Sequence, residues 1–322
     1  MTTHYPQKTK FIKQAFIPRD CGFFSAFNFL IGCLSQNKLV YPLFNKTKFL
    51  QHNNGINDHF CYWTENKNSW FDFFMPISFD ELDTFHISEE INQSTITNGS
   101  DAPEEFRMPS KTLELFKNTH KFNKWRNKIN ATYAQLIKPS TKLSNNIKSI
   151  LSDIKLNPQN TIGVHYRHPS HFIESGKIYF EQYFEKIDNI LDTNSNLEIF
   201  LATDSTLAIL AFKERYPDRV KYIQNIERVS IDNFLSWAFA LGSGKKPDVV
   251  GFIGGKGYEL HHLKNKNEDN FIMTRDLLTE VFILSQCKYL IHTISNIALS
   301  ISYINPKIDI ITLYEAQDKG SS

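Results

Sequence analysis

From Asn160 to the C-terminus, short apolar runs alternate with amphipathic stretches, and this constrains the chain more than any other feature. "TIGVHYR" predicts a strand, "KIYFEQYFEKIDNIL" a helix, "LEIFLAT" a strand, "STLAILAFKERYP" a helix and "RVKYIQN" a strand. After a glycine-rich interval come helix "TRDLLTEVFILSQC", strand "KYLIHT", helix "SNIALSISYINP" and strand "DIITLYE". Strands rich in Ile, Leu and Val read as buried on both faces. Separated by helices, they predict an α/β fold with a parallel sheet in the C-terminal half.

The upstream half is less regular. "CGFFSAFNFLIGCLSQNKLVYPLF" opens on Gly22, continues as an apolar helix and ends in a strand, the order of a first βα unit entered after a loop. Gly22 would allow close approach of a ligand, with a simple helix cap as the alternative. Trp63, Trp70, Phe73 and Phe74 belong to an aromatic segment read as interior packing. Residues 84–110 are polar and punctuated by Gly, Pro, Ser and Asn, and are expected to form a long surface excursion or a mobile loop. A helical pattern follows from Lys111 to about Asp153. At 322 residues the chain suits two cores, with a division at 155/156.

Several function classes are disfavoured. With 36 Lys and Arg against 34 acids, the formal charge of +2 argues against a dedicated nucleic-acid binder, although a local basic groove stays open. The four cysteines, Cys21, Cys33, Cys61 and Cys287, lack zinc or CxxC spacing and read as free thiols of a reducing compartment. The N-terminal stretch lacks a signal-peptide core and no window reaches the length of a membrane span, so a cytoplasmic location is expected. The 27 Phe and 13 Tyr leave peripheral contact with a membrane open. "GSGKK" and "GFIGGKG" match neither a P-loop nor the GxGxxG fingerprint; Lys245, Lys246 and Lys256 read as a solvated loop, with a lid over an anion as the alternative. There is no D-x-D, and His261–His262 lacks further ligands at zinc spacing, so no metal is expected.

Ligands of open α/β sheets bind outside the carboxyl ends of the strands. Three strands here end in polar clusters, "HYRHPSH", "LATDS" and "LIHTISN". Pleat alternation puts Ile162, Val164 and Tyr166 on one face and Gly163, His165 and Arg167 on the other. Arg167 carries a planar donor fork suited to phosphate oxygens, with a surface salt bridge as the alternative. His165, inside the strand, is more often a hydrogen-bonded core histidine. Asp204 would accept hydrogen bonds from a ribose, base or sugar, unless Asp204 or Ser205 caps the next helix. Ser295 and Asn296 open a helix whose N–H groups form a ready site for a diphosphate.

These motifs carry a resemblance. "GVHYRH", then "IFLATDS" with "KERYP" downstream, then "DLLTEVFILSQCKYLIHTISNIALSIS" resemble the α-1,6-fucosyltransferase and nodulation-fucosyltransferase superfamily over Thr161 to the C-terminus, about half the chain. Its hallmarks are an H-x-R motif, an A-T-D motif and a late helix and strand ending in a serine-containing turn. The resemblance implies a GT-B fold of two facing Rossmann-like domains. Residues 1–155 would form an acceptor-side domain with helical and loop insertions, and 156–322 a nucleotide-sugar-binding domain. It also implies inverting, metal-independent transfer from GDP-fucose, without a cofactor.

By motif, Arg167 would hold the β-phosphate, His165 would support that geometry or contact the donor phosphate or sugar, Asp204 would bind the nucleoside, and Ser295 and Asn296 would approach the diphosphate. Glu280, on the late helix, would orient Arg167 or the donor, with a solvent-facing or capping role as the alternative. Glu174, a few residues beyond H-x-R, is the candidate general base. The core-modifying relatives have H-x-R-R followed by Thr-Asp, and the nodulation enzymes have a His after the Arg and then diverge; here His168-Pro169-Ser170 follows, and the missing Asp leaves another nucleotide sugar as the alternative donor. A non-catalytic nucleotide- or glycan-binding module is the other alternative. The acceptor is expected to be a glycan or glycolipid, such as a bacterial surface polysaccharide, reached from the cytoplasmic side of the inner membrane.

Overall fold

A computed structural model describes residues 13–18, 22–36, 38–45, 68–77, 96–100, 102–167, 178–228 and 270–314. In chain order the elements are β1 (Lys13–Phe16), α1 (Phe23–Leu34), β2 (Leu39–Pro42), α2 (Trp70–Phe73), β3 (Ile96–Thr97), α3 (Glu104–Arg107), α4 (Pro109–Lys117), α5 (Thr119–Leu136) and α6 (Thr141–Asp153). A 3-10 turn at Pro158–Asn160 leads into β4 (Thr161–Tyr166). Then follow α7 (Phe180–Thr193), β5 (Glu198–Thr203), α8 (Thr206–Arg215), β6 (Val220–Lys221), α9 (Asn270–Leu284), β7 (Tyr289–Thr293), α10 (Asn296–Ile304) and β8 (Asp309–Leu313).

The strands form two sheets, each parallel throughout. The smaller has the order β2-β1-β3 and the larger β6-β5-β4-β7-β8. Strand β4 is buried along its whole length, as a central parallel strand requires, whereas the edge strands β6 and β8 are partly exposed. The expected pleat holds. Ile162, Val164 and Tyr166 join Ile199, Leu201 and Ile291 in a core with Tyr183 and Ile187 of α7 and Phe212 of α8. On the other face, Phe200, Ala202 and Leu290 pack with Leu278, Val281 and Leu284 of α9 and Leu299 and Ile301 of α10. The chain therefore winds outward in one direction through β4, β5 and β6 and in the other through β7 and β8. The turning point between β4 and β7 is where an open sheet of this kind binds its ligands.

Helix α1 is buried on every side except at Ser25, which accounts for its mostly apolar sequence. Trp70 and Phe74 stack at 4.4 Å, Phe74 lies 5.5 Å from Phe27 of α1 and 6.4 Å from Phe282 of α9, and Phe73 is likewise buried. The interior reading of these rings holds; Trp63 lies outside the described residues. One apolar cluster thus runs from Phe16 on β1 to Leu284 on α9.

Two expectations need correction. Within the stretch read as a surface excursion, Ile96–Thr97 pairs with Ala15–Phe16, and Ala102 and Phe106 are buried. Two apolar side chains anchor a polar sequence there. The first βα unit is also entered through a strand, Lys13–Phe16, whose four residues are too short to show a period. Helices α5 and α6 pack on the C-terminal elements. Asn130 Nδ2 donates to the Tyr303 carbonyl at 2.8 Å, Arg126 Nη1 to the Ile308 carbonyl at 2.9 Å, and Asn146 Nδ2 to Thr279 Oγ1 at 2.8 Å.

Candidate functional site

The three polar strand ends lie on adjacent strands. His165 pairs in register with Ala202 of β5 and His292 of β7, and Tyr166 with Thr203. Arg167 and Asp204 are therefore the next residues of neighbouring strands, and both are half-buried. Ser295 follows β7, and its Oγ is 3.5 Å from His165 Nδ1. The geometry thus draws His165, Arg167, Asp204 and Ser295 toward one carboxyl edge, at the β4–β7 turning point.

Local capping separates structural from available groups. Ser205 Oγ accepts the Ala208 N–H at 3.3 Å and so caps α8, which leaves the capping position to Ser205 rather than Asp204. Ser295 Oγ accepts the Ala298 N–H at 3.1 Å and caps α10. The first-turn N–H groups of α10 have no acceptor within the helix and carry its positive dipole end. Phosphate oxygens are natural partners for such groups.

Asn296 is held from the other half of the chain. Asn28 of α1, fully buried, donates from Nδ2 to the Asn296 carbonyl at 3.0 Å and to Asn296 Oδ1 at 3.1 Å. Its own Oδ1 accepts from Ser300 Oγ at 2.8 Å and Tyr303 Oη at 2.7 Å. The Asn296 side chain is thereby engaged in fixing the start of α10 against α1. A buried amide with these partners satisfied confers rigidity where an unsatisfied one would destabilise. Asn28 was not among the residues expected from the sequence, because an asparagine inside an apolar run carries no local sign of a partner 268 positions away.

Arg228 is a second residue that the sequence did not reveal. Its Nε donates to the Thr203 carbonyl at 3.2 Å, directly before Asp204, while Nη1 and Nη2 donate to the Ile226 and Ile223 carbonyls, each at 2.7 Å. Nη2 also lies 3.8 Å from Glu280 Oε1, too far for a hydrogen bond. Glu280 is thus paired with Arg228. Burial pushes its carboxyl up to about 8; Arg228 opposes that rise, and the charges of Asp204 and Asp276 add to it.

Glu280 therefore carries a proton in the folded protein at pH values where the unfolded chain, near 4.5, has lost it. Stability from this group is fully present below about pH 4.5 and is lost as the pH rises toward about 8. In urea melts, the Glu280→Gln variant is expected to lose less stability than the wild type between those limits. Parallel pH profiles for the two proteins would show that the carboxyl is not held in its neutral form.

His292 is a satisfied core histidine: Nδ1 donates to the Thr293 carbonyl at 2.6 Å, Nε2 lies 3.0 Å from Thr312 Oγ1, and burial lowers it to about 4. Gly22 is the N-cap of α1 with φ −57°, and an added Cβ would meet nothing within 4 Å among the described residues. Its own backbone does not demand glycine. Glu174, His168, Ser170, Lys245, Lys246, Lys256, His261 and His262 lie outside the described residues. Among the described residues, no group of three or more His, Cys, Asp or Glu is arranged to hold a metal, and no helix is long and apolar enough to cross a membrane.

The fold and site together define a parallel α/β protein with a polar carboxyl edge at its topological turning point. No protein-family model and no curated protein matches the chain. Among solved structures, the chain is similar to NodZ α-1,6-fucosyltransferase soaked with GDP-fucose, at 12% identity over 91% of this chain and 93% of that one, with a TM-score of 0.46. It is also similar to fucosyltransferase NodZ from Bradyrhizobium, at 13% identity, 94% and 96% coverage and a TM-score of 0.44. POFUT1 in complex with GDP is similar at 11% identity over 57% of this chain and 49% of that one, with a TM-score of 0.35.

Proposed function

We propose that the protein is an inverting, metal-independent glycosyltransferase of GT-B type that transfers fucose from GDP-fucose to a glycan or glycolipid acceptor. The observation that carries this reading is the placement of Arg167, Asp204 and the Ser295-capped start of α10 on three successive strand ends at the β4–β7 turning point. In this reading Arg167 and the first turn of α10 bind the diphosphate, and His165 supports them. Asp204 takes the nucleoside, and Glu280 tunes the local charge through Arg228. Ser295 and Asn296 act through the helix start they shape, and Gly22 lets the donor approach α1.

Residues 1–155 form the acceptor side and 156–322 the donor side, at the cytoplasmic face of the inner membrane of a bacterium. The acceptor hydroxyl attacks the anomeric carbon from the face opposite GDP. As the new C–O bond forms, the bond to the diphosphate breaks, its electron pair stays on the β-phosphate oxygen, and Glu174 takes the hydroxyl proton.

Calorimetric titration with GDP, UDP and GDP-fucose in EDTA tests the reading. Micromolar GDP binding, about −8 kcal/mol, followed by slow release of fucose from GDP-fucose, is expected. Binding of UDP alone would move the donor to another nucleotide sugar. Absence of any nucleotide binding would make the three strand ends purely structural.

A further inference from the structure

A charge asymmetry marks the helices that precede β4. Between residues 111 and 150 the chain carries nine lysines and arginines against one acid, Glu114, whereas the whole chain has 36 against 34. The remainder is therefore net acidic. Glu114 itself is taken by Lys111 at 3.0 Å. The one arginine of the stretch, Arg126, is turned inward, where it bonds the Ile308 carbonyl and lies 5.2 Å from the Phe122 ring centroid.

The exposed cations of α5 and of the end of α4 are all lysines. Lys121, Lys124 and Lys128 are spaced three and four apart and fall within about 60° of one another around α5, at roughly 100° per residue. All three are exposed, and no acid among the described residues pairs with them. The opposite side of α5 presents Phe122, Ile129 and Tyr133 to the core. Lys117, at the end of α4, extends the row and sits 5.0 Å over the ring of Tyr314, which is exposed. Tyr314 follows β8, so the row begins at the carboxyl edge of the large sheet.

We infer that this lysine face, Lys117, Lys121, Lys124 and Lys128, docks the protein on an anionic lipid surface. Lysines on a smooth helix are point charges on flexible stems. They suit the diffuse negative field of a headgroup layer, which attracts them collectively without fixed geometry. Recognition of nucleic acid draws on guanidinium forks and stacking rings. Here the arginine is occupied, and the neighbouring ring, Trp125, packs against Phe106 and Tyr303. An exposed tyrosine beside the first lysine is the amphipathic ring suited to the headgroup level. The inference stands independently of the proposed transferase activity.

Sedimentation of the full chain with phosphatidylcholine vesicles, with and without phosphatidylglycerol, tests it. Binding is expected only with the anionic lipid and should fall steeply as salt shortens the screening length. Changing Lys117, Lys121, Lys124 and Lys128 together to Gln should weaken it on the order of a hundredfold or more, at about fivefold per lysine. The Lys148→Gln variant, on the following helix, should retain at least about a fifth of the affinity. An unchanged thermal melt of the fourfold variant shows that the loss is not unfolding. Three results would overturn the inference: equal binding to neutral vesicles or none to either, a fourfold variant that binds like the wild type, or preference for a single-stranded oligonucleotide over the anionic vesicles.

Discussion

Arg167→Ala is expected to lower donor turnover by about two to three orders of magnitude while leaving the melting temperature close to that of the wild type. Arg167 follows the fully buried strand β4, beside Asp204 in register and one residue beyond the pairing of Tyr166 with Thr203. Its backbone position is thus set by strand pairing, not by the arginine side chain. In the proposed transfer, negative charge grows on the β-phosphate oxygen as the sugar leaves. A guanidinium held at a half-buried edge stabilises that charge more than water does. Arg167→Lys should fall between the two, because it keeps the charge and loses the planar fork. Turnover and GDP affinity measured side by side decide the matter, and equal activity of the Arg167→Ala variant would remove the mechanism. Glu174→Gln should spare GDP binding and depress turnover; full turnover would assign the base to another residue.

Gly99→Ala should destabilise the fold by about 2–5 kcal/mol, adding a left-handed backbone cost of roughly 1–2 kcal/mol to an overpacking cost of roughly 1–3 kcal/mol. Gly99 has φ +82°, and a Cβ built there would stand 2.5 Å from Phe29 Cβ on α1. Neither partner can yield easily. The Gly99 N–H donates to Thr97 Oγ1 at 3.2 Å and its carbonyl accepts from Ala102 at 3.0 Å, while Phe29 belongs to a helix buried along nearly its whole length. Against a total stability of about 5–15 kcal/mol, the urea midpoint should drop sharply at constant slope. A loss below about 1 kcal/mol would mean that the turn after β3 does not press on α1.

The C-terminal sheet was legible because each of its signals is local. β-branched and apolar runs such as "IFLAT" and "YLIHT" can hide both faces only in a parallel sheet, and Ser205 and Ser295 mark helix starts by their own chemistry. The three polar strand ends could be named for the same reason. The assignment of Glu280 to Arg228 was not legible. "NIERVS" offers only a charged residue after a short strand, and the pairing depends on how residues 222–228 fold back to the Thr203 carbonyl. Likewise β3 spans two residues, and its place beside β1 rests on a turn whose glycine backs onto a helix some seventy positions earlier.

Residue type and spacing alone determined the order of strands and helices after Asn160 and the alternation of Ile162, Val164 and Tyr166 with Gly163 and His165. Each of these follows from backbone period and nearest neighbours. Tertiary structure decided that β4 and β7 are neighbours and so form the turning point, that Asn28 grips the start of α10, that Arg228 lies near Glu280, and that the lysines of α5 face outward. Those outcomes depend on contacts between distant segments, which become favourable only when a common core brings the segments together.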